Sequence, residues 1–166
     1  MRLFVAVRPP EEVLDQLAAL PRSDAAGLRW TTRDQWHVTL RFLGNVDDPG
    51  PVVAALHDAV RPLSPVDATL GPRAGMLGRG VVQLPVAGLD GIAAAVIAAT
   101  AAFGDPPDAR RFKGHLTLAR TKSRLRDAAA LDVSGRWTVD HVELIRSHLG
   151  RGPATYETLA TLSLSG

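Results

Sequence analysis

The sequence predicts an α+β fold. Short β-rich runs alternate with amphipathic helical stretches, one tetrapeptide recurs in a strand-like setting in each half, and no linker divides the chain. Leu3–Val7 is a β-rich run ended by Pro9-Pro10. Glu11 and Glu12 then favour a helix start, because carboxylates suit the positive end of a helix dipole. Val13, Leu14, Leu17 and Ala18 give that helix an apolar stripe. Trp36–Leu43 reads as a strand stopped at Gly44-Asn45. Asp48 and Pro49 read as a cap and a first helical residue. Val52, Val53, Leu56, Ala59 and Val60 continue that helix on one face, and Pro62 closes it. Three short strands follow near Asp67–Leu70, Gly75–Leu77 and Val81–Val86, punctuated by Gly71, Gly75, Gly78 and Gly80. A third helix fits Leu89, Ile92, Ala93, Val96, Ile97 and Thr100, with Gly104 and Pro106 as its stop. His115–Arg120, Trp137–Arg146 and Tyr156–Leu164 complete the strands.

Bulk properties bound the function. A chain of 166 residues suits one domain with a sizeable core, or two small lobes sharing one. Hydrophobic content of 46% and charged content of 22% are ordinary for a globular protein. A net charge of +2 argues against a protein that coats nucleic acid by bulk charge. There is no cysteine, so there is no disulfide, thiol nucleophile or cysteine-ligated zinc. Met1–Val7 is too short an apolar run for a signal peptide, and no small-residue cleavage pattern follows it. The longest apolar run, Ile92–Phe103, falls well below the ~20 residues that span a bilayer. The expectation is a soluble cytoplasmic protein with no membrane segment.

The repeated tetrapeptide carries the chemistry. His37-Val38-Thr39-Leu40 and His115-Leu116-Thr117-Leu118 lie about half the chain apart. On a strand, His and Thr project from one face while the aliphatic residues project from the other. Two such strands brought together would set two imidazoles and two hydroxyls around one cleft. Hydrolysis of a cyclic phosphodiester needs water deprotonated on one side of phosphorus and an alkoxide protonated on the other. Imidazole titrates near ~6.5 and can serve either purpose without a metal. The hydroxyls of Thr39 and Thr117 can donate to phosphoryl oxygens as their charge grows. The bland alternative is a pair of His-Thr strands that are half-exposed and hydrogen-bonded locally. Sequence alone does not say which histidine is acid and which is base.

Cations surround the second copy. Between Arg110 and Arg126 there are seven basic residues (Arg110, Arg111, Lys113, Arg120, Lys122, Arg124 and Arg126) and no acidic one. Arginine forms forked contacts to phosphate, but a solvated loop in a chain with 17 Arg against 2 Lys reads equally well. Arg120 is the best substrate-binding candidate, at the end of its motif strand. Arg41 is a second, placed on the His37/Thr39 face by simple alternation.

Other chemistries fit less well. No His, Asp or Glu pair with ligand spacing flanks either motif, so neither a metal nor a cofactor is expected. There is no Gly-x-Ser-x-Gly elbow, and Gly71–Gly80 lacks the Lys-Ser/Thr of a phosphate loop. His57, His141 and His148 read as surface or packed histidines, and Trp30, Trp36 and Trp137 as core. Phe42 and Tyr156 suit either core packing or stacking on a nucleobase.

The chain resembles the 2H phosphoesterase superfamily, in particular the bacterial RNA 2′,3′-cyclic phosphodiesterases, also called 2′-5′ RNA ligases. The resemblance runs through Arg2–Val7, Arg29-Trp30, Gln35–Gly44, Arg111–Arg120, Ser147–Leu149, Gly152-Pro153 and Tyr156–Leu159. It implies a bilobal α+β fold over residues 1–166, each lobe giving one motif strand (37–40 and 115–118) to a central cleft. It implies metal-independent hydrolysis of an RNA-terminal 2′,3′-cyclic phosphate to a 2′-phosphate. His37 would be the proton donor to the 3′-oxygen and His115 the acceptor from water, and the same site could join a 2′,3′-cyclic phosphate to a 5′-hydroxyl as a 2′-5′ bond, secondary to hydrolysis. The implied partners are RNA ends or nucleotides bearing that phosphate, with no obligate protein partner. Relatives usually carry Pro where this chain has Gly114, and often an aromatic near Gln83; the looser glycine predicts weaker positioning of the His115 strand. Two alternatives stay open: a nucleotide- or RNA-binding module without turnover, and a phosphodiesterase for small cyclic nucleotides.

Overall fold

A computed structural model describes residues 1–22, 27–122 and 131–166. The elements run β1 (Arg2–Val7), α1 (Glu11–Ala18), β2 (Leu28–Trp30), a 3₁₀ turn (Arg33–Gln35), β3 (Val38–Asn45), α2 (Gly50–Val60), β4 (Val66–Leu70), β5 (Gly75–Leu77), β6 (Val81–Ala87) and α3 (Asp90–Ala99). They finish with β7 (His115–Thr121), β8 (Gly135–Val139), β9 (His141–His148) and β10 (Thr155–Ser163). The predicted α+β class holds.

One antiparallel sheet runs β10-β9-β1-β3-β7-β6-β4-β8, with β2 also on β7 and β5 on β6. Its seam is narrow. β3 and β7 pair only at Val38 and Leu116, whereas β1 pairs with β3 at six positions and β6 with β7 at five. The sheet therefore has two halves, β10-β9-β1-β3 and β7-β6-β4-β8, hinged where the two motif strands touch.

Helices cover one side. α2 packs on α3 and β10, and α3 on β3, burying Val52, Leu56, Val60, Ile92 and Val96 against Leu3, Val5 and Leu43. α1 buries Val13 and Leu17. Strand β1 is buried on both faces: Leu3, Val5 and Val7 join the helix-side core, while Phe4 and Ala6 form a second cluster with Ile145 and Tyr156. That second cluster floors the open side of the first half. Each aliphatic side chain buried in these clusters contributes on the order of 1.5–3 kcal/mol.

The single strand expected over Trp137–Arg146 is two strands. β8 pairs with β4 in one half and β9 with β1 in the other, so the chain changes halves at Asp140. Apolar periodicity runs unbroken through both and carries no sign of a change of partner. α2 starts one residue later than expected, with Pro49 as its N-cap and Gly50 its first residue, and Asp48 accepts the Gly50 N–H at 2.9 Å from just outside the cap. β2 and the 3₁₀ turn have no counterpart in the sequence reading.

Candidate active site

Both motifs contain the same irregularity. In β3, Thr39 pairs with Ala6 and Arg41 with Val5, so Leu40 is an extra residue. In β7, Thr117 pairs with Gln83 and Ala119 with Val82, so Leu118 is the extra one. The fourth residue of each tetrapeptide is thus a β-bulge, and beyond it the in–out alternation inverts. His37 and Thr39 share a face with Phe42; His115 and Thr117 share one with Arg120. Phe42 and Arg120, each five residues past its histidine, are both exposed.

The bulge overturns the expectation for Arg41. Instead of facing outward with His37, Arg41 is 5% exposed. Its guanidinium donates to the Phe42 carbonyl at 2.6 Å and to the carbonyls of Asp105 and Pro106. It anchors the segment after α3. Phe42 takes the outward place, 45% exposed, its ring parallel to Phe4 at 5.8 Å and under the Arg2 guanidinium at 5.2 Å.

At the seam the two motif segments meet in one backbone pair. Val38 faces Leu116, so the same register sets His37 across from Thr117 and Thr39 across from His115. The His115 Nδ1–H donates to the Lys113 carbonyl at 2.9 Å, and His37 bonds the Gln35 backbone in the same i−2 manner. For His115 this sets the tautomer of the neutral ring, with Nε2 as its acceptor nitrogen. The His37 ring packs against Phe4 at 4.8 Å and edge-on to Tyr156 at 5.2 Å. Burial there pushes its pKa from 6.5 down to about 4, against the opposing pull of the Gln35 hydrogen bond. The charges of Arg8, His115 and Arg120 lower it further.

Of the remaining predicted groups, Arg110 is tied to Asp108 at 2.6 Å, and Arg124 and Arg126 lie outside the described residues. His57, His141 and His148 bond Asp58, Asp140 and Glu157 on the surface. Trp36 and Trp137 are core, and Trp30 is half-buried against it. Among the described residues no group of three or more His, Cys, Asp or Glu could hold a metal ion, and no helix is long and apolar enough to cross a membrane.

Gly114 corrects a further expectation. A Cβ there would lie 2.2 Å from the Val86 carbonyl oxygen, while Val86 N–H donates to the Gly114 carbonyl at 2.9 Å. The glycine permits a close backbone approach that seats the start of β7 on β6. It tightens the His115 strand instead of loosening it.

Three contributors have no motif to announce them. Thr31 Oγ1 accepts from Trp36 Nε1 at 3.0 Å and donates to the carbonyls of Thr117 and Leu118 at 2.8 and 2.7 Å. It ties the residue before His37 to the opposite motif. Arg8 lies on the Phe4-Ala6 face at the end of β1, its Nε bonded to Glu143 Oε2 at 3.1 Å. Alternation in β1 was the available signal for it. Gln83, opposite Thr117, has a buried Oε1 with no hydrogen-bond partner among the described residues.

The sequence profile of the 2′-5′ RNA ligase superfamily matches residues 7–151. The chain is similar to the crystal structure of TT0787 of Thermus thermophilus, at 28% identity and a TM-score of 0.85, over 100% of this chain and 99% of that one. It is similar to E. coli LigT complexed with 3′-AMP, at 27% identity and a TM-score of 0.78, over 99% and 98%. A crystal structure described as a phosphoesterase is 27% identical with a TM-score of 0.73, over 99% and 98%. In a sequence comparison with curated proteins, none matches.

Proposed function

The chain belongs to the 2′-5′ RNA ligase superfamily, a group of 2H phosphoesterases, and from that premise we propose that it hydrolyses RNA-terminal 2′,3′-cyclic phosphate to a 2′-phosphate in the cytoplasm, residues 1–166 acting as one bilobal unit. What supports the reading is the seam: two His-x-Thr segments from opposite halves meet at one backbone pair, and each ring is held by the carbonyl two residues before it.

In this reading the cyclic phosphate sits between the rings. Neutral His115, its Nδ1–H held by Lys113, takes a proton from water at Nε2 as the water oxygen attacks phosphorus. The bond from phosphorus to the 3′-oxygen breaks, and protonated His37 supplies the proton that this oxygen needs. Thr39 and Thr117 donate to the phosphoryl oxygens, and Arg120 balances their charge. His37 is depressed by burial and by neighbouring cations in the free protein. A bound anion offsets those cations and raises His37 toward the range in which it holds a proton. With a 5′-hydroxyl in place of the attacking water, the same opening of the cyclic phosphate, with loss of the 3′-oxygen, makes a 2′-5′ bond.

The test is incubation of a cyclic-phosphate-ended RNA with pure protein in EDTA. The expected product is the 2′-phosphate, with turnover reduced ~10²- to 10⁴-fold in His37→Ala and in His115→Ala. Binding without hydrolysis would point to a non-catalytic module, and loss of activity in EDTA to a metal-dependent one.

A further inference from the structure

We propose that Arg8 receives a second phosphate of the substrate, the 5′-phosphate of the nucleotide whose ribose carries the cyclic phosphate. The site would then favour RNA ends and 5′-phosphorylated nucleotides over cyclic mononucleotides with a free 5′-hydroxyl. This rests on the reading above: if His37 protonates the departing 3′-oxygen, the ribose lies on the His37 side of phosphorus and water on the His115 side.

A cavity of about 410 Å³ opens on that side, lined by Arg8, Thr32, Asp34, Gln35, Ala154 and Tyr156 among others. Two of these adjoin His37, since Gln35 bonds its ring and Tyr156 packs edge-on to it, and Arg8 lines the same cavity. The volume falls in the range of small-ligand sites. Arg8 is built into the wall. Glu143, only 9% exposed, accepts from Arg8 Nε and from Thr158 Oγ1 at 2.8 Å. Among the described residues the terminal nitrogens of Arg8 have no partner, which leaves one edge of the guanidinium for an acceptor pair such as two phosphate oxygens. The reading above gives Arg120 to the cyclic phosphate, which leaves Arg8 for a second anion.

Asp34 limits the choice of ligand. A free anion in this cavity would meet a carboxylate as well as Arg8. A nucleotide places its phosphate on Arg8 and offers hydroxyl or amino donors to Asp34.

The experiment compares kcat/KM for adenosine 2′,3′-cyclic phosphate with and without a 5′-phosphate. The native protein should prefer the 5′-phosphorylated compound by roughly tenfold or more, the scale of one charge-assisted contact. Arg8→Ala should bring the ratio close to one. Arg8→Gln, which keeps a donor for Glu143 but not the charge, should do the same. Calorimetric binding of adenosine 3′,5′-bisphosphate against 3′-AMP is measured alongside, with the same expected loss of preference. A native ratio near one, or a preference that survives in both variants, overturns the assignment. If neither cyclic compound is hydrolysed, the functional reading fails while the binding comparison still decides Arg8: a bisphosphate advantage lost in Arg8→Gln supports it, and no advantage refutes it.

Discussion

Replacing His37 with Gln should remove a pH dependence of stability that resides in this one side chain. The imidazole is packed against Phe4 and Tyr156, and burial there lowers its pKa from 6.5 to about 4. The unfolded chain therefore takes up a proton near pH 6.5 that the folded chain refuses until near pH 4. Stability is complete above the unfolded value and falls as pH drops through that window. The full depression corresponds to about 3 kcal/mol, of which about 2 kcal/mol is lost between pH 7 and pH 5. Urea unfolding of both proteins at about pH 7, 6 and 5 reads this directly. The native protein should lose about 2 kcal/mol more than His37→Gln over that span. Asp67 and Asp108, held low by hydrogen bonds from Arg136 and Arg110, titrate in both proteins and cancel. Parallel pH curves would show that His37 is not desolvated and would refute the reasoning.

Gly114→Ala should cost about 1–3 kcal/mol and lower kcat, because the new Cβ lies 2.2 Å from the Val86 carbonyl; thermal unfolding and turnover check it. Gly91→Ala, in α3 with nothing within 4 Å of the new methyl, should instead stabilise by about 0.5–1 kcal/mol. Arg41→Ala should destabilise by about 3 kcal/mol by leaving inner carbonyls without donors. Its KM for the cyclic phosphate should stay near the native value, and a raised KM at unchanged stability would return Arg41 to the binding site. Thr39→Val and Thr117→Val should each lower kcat roughly tenfold, well short of the loss from either histidine.

The motif strands and three helices were legible because each carries its own periodicity and stop signals. The candidate site was legible as far as the shared faces of His37 with Thr39 and of His115 with Thr117, since strict alternation holds from the histidine to the threonine. It fails one residue later. The bulges at Leu40 and Leu118 depend on how β1 and β6 pair with these strands, so alternation put Arg41 where Phe42 belongs. The same inversion brings Arg120 to the outside, although plain alternation from Thr117 would have chosen Ala119. Thr31 stayed hidden because its partners, Thr117 and Leu118, lie far along the chain. Arg8 was open to discovery from Phe4 and Ala6 on the same face, but nothing local marks Glu143 as its anchor. Gly114 looked like slack when read by itself, and only the nearby Val86 carbonyl shows it to be a tight contact.

The central claim is that the two imidazoles address one anion. The most direct measurement follows the ring signals of His37 and His115 by NMR while inorganic phosphate is added to the native protein. Both rings should respond on one binding curve, and the pKa of His37 should rise from its value in the free protein. Separate curves for the two rings, or a response from only one of them, would contradict the account.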